Sequence, residues 1–146
     1  GFACASFPAR MEVLSVNPTI ILDGAHNPDG MAALADAVRK YLPGKKITAI
    51  VGMLADKDVK SSLHFLAGLF TNVITLAPNN PRAMKAEDLA ERFRLNGIPA
   101  QAMENAGEAL QKGMSLAGED GALLICGSLY LAGDIRPLVL NLLSKK

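Results

Sequence analysis

The sequence predicts an α/β fold, a mostly parallel sheet with helices on both faces, and three observations carry that expectation. Short β-branched runs alternate with segments of helical period about five times along the chain, the pattern of a parallel sheet with crossover helices. Two strand-like runs, Ile47 to Met53 and Gly121 to Gly127, are almost continuously apolar, as expected of strands covered on both faces. Residues Ile20 to Gly30 read Ile-Ile-Leu-Asp-Gly-Ala-His-Asn-Pro-Asp-Gly, a strand, a sharp turn and a helix start in immediate succession. In open α/β sheets, ligands bind outside the carboxyl ends of the strands, where such junctions lie.

The elements follow in order. Residues 1–18 are expected to be a linker and edge segment: Phe7-Pro8-Ala9-Arg10 is loop-like, and Met11 to Val16 can form a short edge strand. Residues 19–146 are the domain proper. Thr19 to Leu22 is the first inner strand. Pro28 can open a helix, where a missing N–H costs nothing. Met31, Leu34, Ala35, Val38 and Leu42 then follow at helical spacing, and Pro43-Gly44 closes the segment. After the strand at Ile47, Asp58 can cap a helix with inner face Val59, Leu63, Leu66, Ala67 and Phe70. Val73 to Leu76 is a strand broken by Pro78-Asn79-Asn80-Pro81. Ala86, Leu89, Ala90 and Phe93 mark a helix ending near Asn96-Gly97, and Pro99 to Met103 is a short strand. Ala106, Ala109, Leu110 and Gly113 give the next helix. Gly121 to Gly127 is a strand, and Asp134 is expected to cap a last helix with Pro137 in its first turn.

Composition narrows the function. A single domain of 146 residues buries roughly 70% of its unfolded surface, enough for a core without staples. Half the residues are hydrophobic, yet no apolar run approaches the ~18 needed to span a bilayer. The first ten residues lack the basic region of a secretory signal. Net charge is +1 with Lys and Arg dispersed, which argues against nucleic acid or a membrane surface as the partner. The two cysteines, Cys4 and Cys126, suit a reducing, cytoplasmic setting, and Cys126 reads as a buried small hydrophobe.

Three strand ends can carry chemistry. In Asp23-Gly-Ala-His26-Asn27, the carboxylate can accept hydrogen bonds from a ribose diol, and the imidazole can donate to a phosphate or carboxylate. Asp23 and Asn27 can equally serve only to cap the turn and helix. In Gly52-Met-Leu-Ala-Asp56-Lys57-Asp58, Lys57 offers a mobile positive charge, while Asp58 alone reads as a helix cap. In Cys126-Gly127-Ser128-Leu129-Tyr130, Gly127 permits close backbone approach. Ser128 sits where helix N–H groups point outward, as an anion site or a simple N-cap. Arg82, in Pro81-Arg82-Ala83, can reach an anion or form a structural salt bridge. Other sites are excluded: there is no G-x-G-x-x-G and no P-loop, and Ser128 lacks the second glycine of a nucleophile elbow. His26 and His64 have no zinc-type partners; no metal ligand is expected, and His64 reads as a surface residue.

Taken together, Asp23-Gly-Ala-His-Asn-Pro28, Gly52-Met-Leu-Ala-Asp-Lys-Asp58, Pro81-Arg82-Ala83 and Gly127-Ser-Leu-Tyr130 resemble, in that order, the folylpolyglutamate synthase/dihydrofolate synthase family. The resemblance covers nearly the whole chain but only the C-terminal domain of that enzyme. It implies the Rossmann-like three-layer sandwich of the Mur ligase C-terminal domain. It further implies ATP-dependent addition of L-glutamate to folate or dihydropteroate, through an acyl phosphate attacked by the glutamate amine. ATP is the implied cofactor. Mg2+ is implied too, with its ligands in a preceding P-loop domain that is the chain's partner within one monomeric enzyme. Carried over, Asp23, Arg10 and Asn27 would contact the nucleotide, with Asp23 on the ribose and Arg10 on the phosphates. Arg10 matches a Pro-Gly-Arg linker motif that here reads Pro8-Ala9-Arg10, with an alanine that takes positive φ less readily than glycine. His26 and Lys57 would be catalytic, and Ser128, Lys57 and His26 would hold substrate. The isolated chain is expected to be inactive, because catalysis by positioning across a cleft needs both walls. Two alternatives stand beside this: a Mur-type amino-acid ligase domain for a non-folate acceptor, and a non-catalytic flavodoxin-like binding module.

Overall fold

The computed structural model describes residues 11–55 and 58–145. Six strands form one sheet in the order β1-β2-β6-β3-β4-β5. They are β1 (Met11–Val16), β2 (Thr19–Asp23), β3 (Ile47–Val51), β4 (Asn72–Thr75), β5 (Ala100–Ala102) and β6 (Ala122–Cys126). Five helices intervene: α1 (Pro28–Tyr41), α2 (Val59–Leu66), α3 (Ala86–Leu95), α4 (Ala106–Ala117) and α5 (Leu129–Ser144). β1 pairs antiparallel with β2 at one edge, and all other pairings are parallel. This is the expected α/β sandwich, and Met11 to Val16 is the expected edge strand.

Every residue of β2, β3 and β6 is buried, because both faces of the sheet are covered. One face carries Ile21, Ala49, Val51, Leu124 and Cys126 against Met31, Leu34 and Val38 of α1, Leu63 and Leu66 of α2, and Leu89 and Phe93 of α3. The other carries Ile20, Leu22, Ile50, Leu123 and Ile125 against Ala109 and Leu110 of α4 and Leu131, Ile135 and Val139 of α5. Alternation along each strand thus sorts its side chains between two apolar layers. It also decides where the site can be. β2 and β3 send the chain to helices on the first face, whereas β6, lying between them, sends it to α5 on the second. The helices after these three strands thus leave on opposite faces, which makes the ends of β2, β6 and β3 the switch point at which open sheets bind ligands.

Two helix expectations need correction. α5 starts at Leu129, not after Asp134: Ser128 has extended backbone, and its hydroxyl already caps the first turn. Asp134 and Pro137 are therefore internal. Pro137 forgoes one intrahelical bond, a loss offset by burial of Leu131, Ile135 and Val139. α2 ends at Leu66, where the backbone leaves helical geometry at Ala67 and reverses at Gly68 with φ +76°. Ala67 is exposed, and Phe70 is buried from the following loop rather than from the helix face.

Candidate functional site

Backbone bonds that run past the strand ends build the crevice. Gly127 donates to the carbonyl of Ala25 at 2.9 Å, Gly52 to that of Cys126 at 3.2 Å, and Leu76 to that of Val51 at 3.0 Å. The chains approach so closely that only glycine fits at two of these points. Gly127 has φ +109°, and a Cβ there would lie 2.5 Å from the Gly52 carbonyl oxygen. A Cβ on Gly52 would strike the carbonyl oxygen of Leu76. The loop after β4 is fastened to the loop after β3: Leu54 and Ala83 form an isolated antiparallel bridge, Ala55 donates to Arg82 O at 2.8 Å, and Met84 donates to Met53 O at 2.8 Å. The resulting cleft of about 210 Å³ is lined by His26, Leu54, Arg82, Ser128, Leu129 and Tyr130.

Each polar group is prepared locally. Ser128 is only 2% exposed, and its Oγ accepts from the backbone N–H of Tyr130 at 3.0 Å and of Leu131 at 3.4 Å. With its lone pairs spent on the cap, the hydroxyl retains its proton to donate, beside the positive end of α5. Nδ1 of His26 stands 2.9 Å from the Gly24 carbonyl. A carbonyl oxygen only accepts, so this contact places the proton on Nδ1 and leaves Nε2 for a ligand. Asn27 caps α1 by accepting from Gly30 N at 2.8 Å, and Pro28 begins the helix as expected. Asp23 is 3% exposed at the end of β2, and its Oδ1 accepts from Ala25 N at 2.7 Å, which fixes the turn that presents His26. Its charge has a second effect. Burial, reinforced by the Asp23 carboxylate, pushes the Cys126 thiol far above its ordinary range, so that Cys126 is the inert small hydrophobe expected.

The residues singled out in the sequence therefore divide. His26, Ser128 and Arg82 line one cleft; Asp23 and Asn27 hold the turn and the helix beside it. Asp58 caps α2 by accepting from Ser61 N at 3.1 Å, and hydrogen bonding from the Ser61 side chain, then from its backbone, holds its carboxyl below the usual range. His64 is exposed on α2. Arg10 and Lys57 lie outside the described residues. Three lining residues carry no role in the sequence reading: Leu54, Leu129 and Tyr130. Leu129 and Tyr130 are 65% and 49% exposed. The available signal was two bulky apolar residues directly after an N-cap, where a helix normally turns polar groups to water. Among the described residues, no group of three or more His, Cys, Asp or Glu is placed to hold a metal ion, and no helix is long and apolar enough to cross a membrane.

A glycine-knit cleft of this kind, at the switch point of a parallel sheet with one antiparallel edge strand, defines an α/β domain with a candidate ligand cleft. The family model described as "Mur ligase, glutamate ligase domain" matches residues 9–129. The chain belongs to that family. It is 37% identical over 144 residues to folylpolyglutamate synthase of Lacticaseibacillus casei, covering 97% of this chain and 32% of the relative. Among solved structures, Mycobacterium tuberculosis folylpolyglutamate synthase complexed with ADP is similar with a TM-score of 0.83 at 29% identity, over 90% of this chain and 32% of that one. The Yersinia pestis bifunctional folylpolyglutamate synthase/dihydrofolate synthase complexed with AMPPNP and a Mn ion gives 0.81 at 28% identity, over 94% of this chain and 32% of that one. The chain thus spans about a third of the length of the relatives it matches.

Proposed function

We propose that this chain is the glutamate- and nucleotide-facing domain of an ATP-dependent ligase that adds L-glutamate to folate or dihydropteroate. The observation that carries the reading is the meeting of His26, Arg82 and Ser128, from three strand-end loops, in one cleft. A hydroxyl held to donate and a guanidinium suit an anionic ligand such as an amino-acid carboxylate or a phosphate, while Nε2 of His26, an acceptor in the Nδ1–H tautomer, suits a ligand donor such as an ammonium or hydroxyl group. Supporting it, the relatives named folylpolyglutamate synthase match over nearly all of the chain, and two solved ones are complexed with ADP or AMPPNP.

In this reading ATP activates the folate carboxylate as an acyl phosphate with release of ADP. The α-amine of L-glutamate then attacks the acyl carbon and inorganic phosphate leaves. Ser128 donates to a glutamate carboxylate, and Lys57 stands as its second anchor. His26 holds ligand at Nε2. Asp23 and Asn27 order the turn beneath the ribose, and Arg10 reaches the phosphates from the entering segment 1–18. A P-loop domain ahead of residue 19 supplies the phosphate cradle and the Mg2+ ligands and forms the other wall of the cleft. The ligase acts as a monomer, and the domain alone turns over nothing.

The test joins this chain to the preceding domain of the Lacticaseibacillus casei relative and follows ATP-dependent incorporation of labelled glutamate. Incorporation into tetrahydrofolate or dihydropteroate by the joined protein, and none by the chain alone, is expected. Turnover only with another amino acid on a non-folate acceptor would replace this reading by that of a Mur-type ligase.

A further inference from the structure

Both walls of the cleft are anchored on one helix. Ser128 is the N-cap of α5, and Asp134 of the same helix reaches the opposite wall, its Oδ2 accepting the backbone N–H of Asn79 at 2.8 Å. The two anchors lie six residues apart, about 9 Å along a rigid axis. Asn79 begins a turn that is bonded within itself: Asn80 donates to Pro78 O at 2.8 Å, Arg82 N to Asn80 Oδ1 at 2.8 Å, and Ala83 N to Asn80 O at 3.0 Å. Pro78 and Pro81 restrict two of its φ angles. Such a turn moves as a unit. Its far side is strapped to the β3 loop by Ala55 and Met84, and its near side is tied to the body of the fold by Asp134. Aspartate is among the weaker helix formers, yet it stands in mid-helix, where its carboxylate is spent on a backbone N–H outside the helix.

We propose that Asp134 is a positioning residue: its carboxylate seats the 78–84 turn so that Arg82 stands in the cleft with Ser128. The inference rests on the cleft being the amino-acid site proposed above. A charge-assisted bond to a backbone N–H is stronger than a neutral one, and because the turn moves as a unit its loss lowers the cost of opening the Ala55 and Met84 straps as well.

The experiment compares the 146-residue chain with D134A and D134N, the latter retaining a neutral oxygen acceptor. Amide hydrogen exchange at Asn79, Ala55 and Met84 should quicken about tenfold in D134A and return most of the way in D134N. Tyr130 and Leu131, which report the Ser128 cap, and Leu89 and Phe93, which report global folding, should be unchanged. L-Glutamate titrated into the same proteins, with ADP as the control ligand, should bind about three- to tenfold more weakly to D134A, with ADP unaffected. Faster exchange at Asn79 alone, with Ala55 and Met84 still protected, would overturn the proposal. So would an unchanged glutamate affinity in D134A. If exchange behaves as expected but no protein responds to glutamate, the amino-acid reading of the cleft fails, and with it the role given to Asp134.

Discussion

Replacing Gly127 with alanine tests the geometry on which the cleft depends, and its cost can be worked from the structure. The added Cβ would sit 2.5 Å from the carbonyl oxygen of Gly52 and 3.1 Å from that residue's carbonyl carbon and nitrogen. These are backbone atoms of a residue bonded to Cys126, so relief requires β3 and β6 to part. Two penalties add: about 1–2 kcal/mol for a side chain at positive φ, and about 1–3 kcal/mol for overpacking against atoms that cannot turn aside. Gly97→Ala separates them. Gly97 has φ +76° with nothing within 4 Å of its would-be Cβ. It closes α3 by donating to Arg94 O at 2.9 Å while Ile98 donates to Phe93 O at 3.0 Å, so it carries the conformational penalty alone. Urea unfolding followed by circular dichroism should show a loss of about 2–5 kcal/mol for G127A and about 1–2 kcal/mol for G97A. At this chain length each kcal/mol lowers Tm by about 2–4 °C, so the two variants should melt several degrees apart. Equal losses would refute the claim that the strand-end loops meet at backbone contact.

Further outcomes follow from particular groups. Ser128→Ala should cost about 1 kcal/mol through loss of the cap, and Ser128→Gly only a few tenths. Both should abolish the glutamate response equally, which separates the hydroxyl as a donor from the hydroxyl as a cap. The Ser62 Oγ is buried without a hydrogen-bond partner among the described residues, so Ser62→Ala should raise stability by about 1 kcal/mol in urea titrations; a comparable loss would mean that the hydroxyl is satisfied. Glu12 takes two nitrogens of Arg136 across β1 and α5, and that hydrogen-bonded guanidinium holds its carboxyl below the ordinary 4.5. A lowered folded value stabilises above the unfolded value and is lost as pH falls through the folded one. Arg136→Gln should therefore have a lower urea midpoint than the parent at neutral pH, and the difference should vanish in acid. A gap that persists in acid would assign the effect to packing of the arginine stem.

The inner strands β2, β3, β4 and β6 were legible because each holds a short β-branched or apolar run closed by a turn former, and the helices because Leu89, Ala90 and Phe93, or Met31, Leu34 and Val38, recur at helical period. Local signals failed where two caps competed. Asp134 looks like an N-cap to a reading that scans for acidic residues ahead of an apolar run, but Ser128 reaches the first free N–H groups and the carboxylate goes to Asn79 instead. Phe70 keeps the helical register of Leu63 and Leu66 although the chain has already turned at Gly68; burial preserves the spacing after the helix has ended. The polar part of the cleft was legible because His26, Arg82 and Ser128 each follow a strand. Its apolar lip was not, because the exposure of Leu129 and Tyr130 depends on Gly24, Gly52 and Gly127 drawing three loops together, a tertiary fact without a local pattern.

The most direct test of the central claim is a chemical-shift titration of ATP and of L-glutamate into the isolated chain. Weak, localised changes at Asp23, His26 and Ser128 are expected, the response of half a cleft awaiting its other wall. Shifts confined to residues away from the ends of β2 and β6, with those three silent, would contradict it.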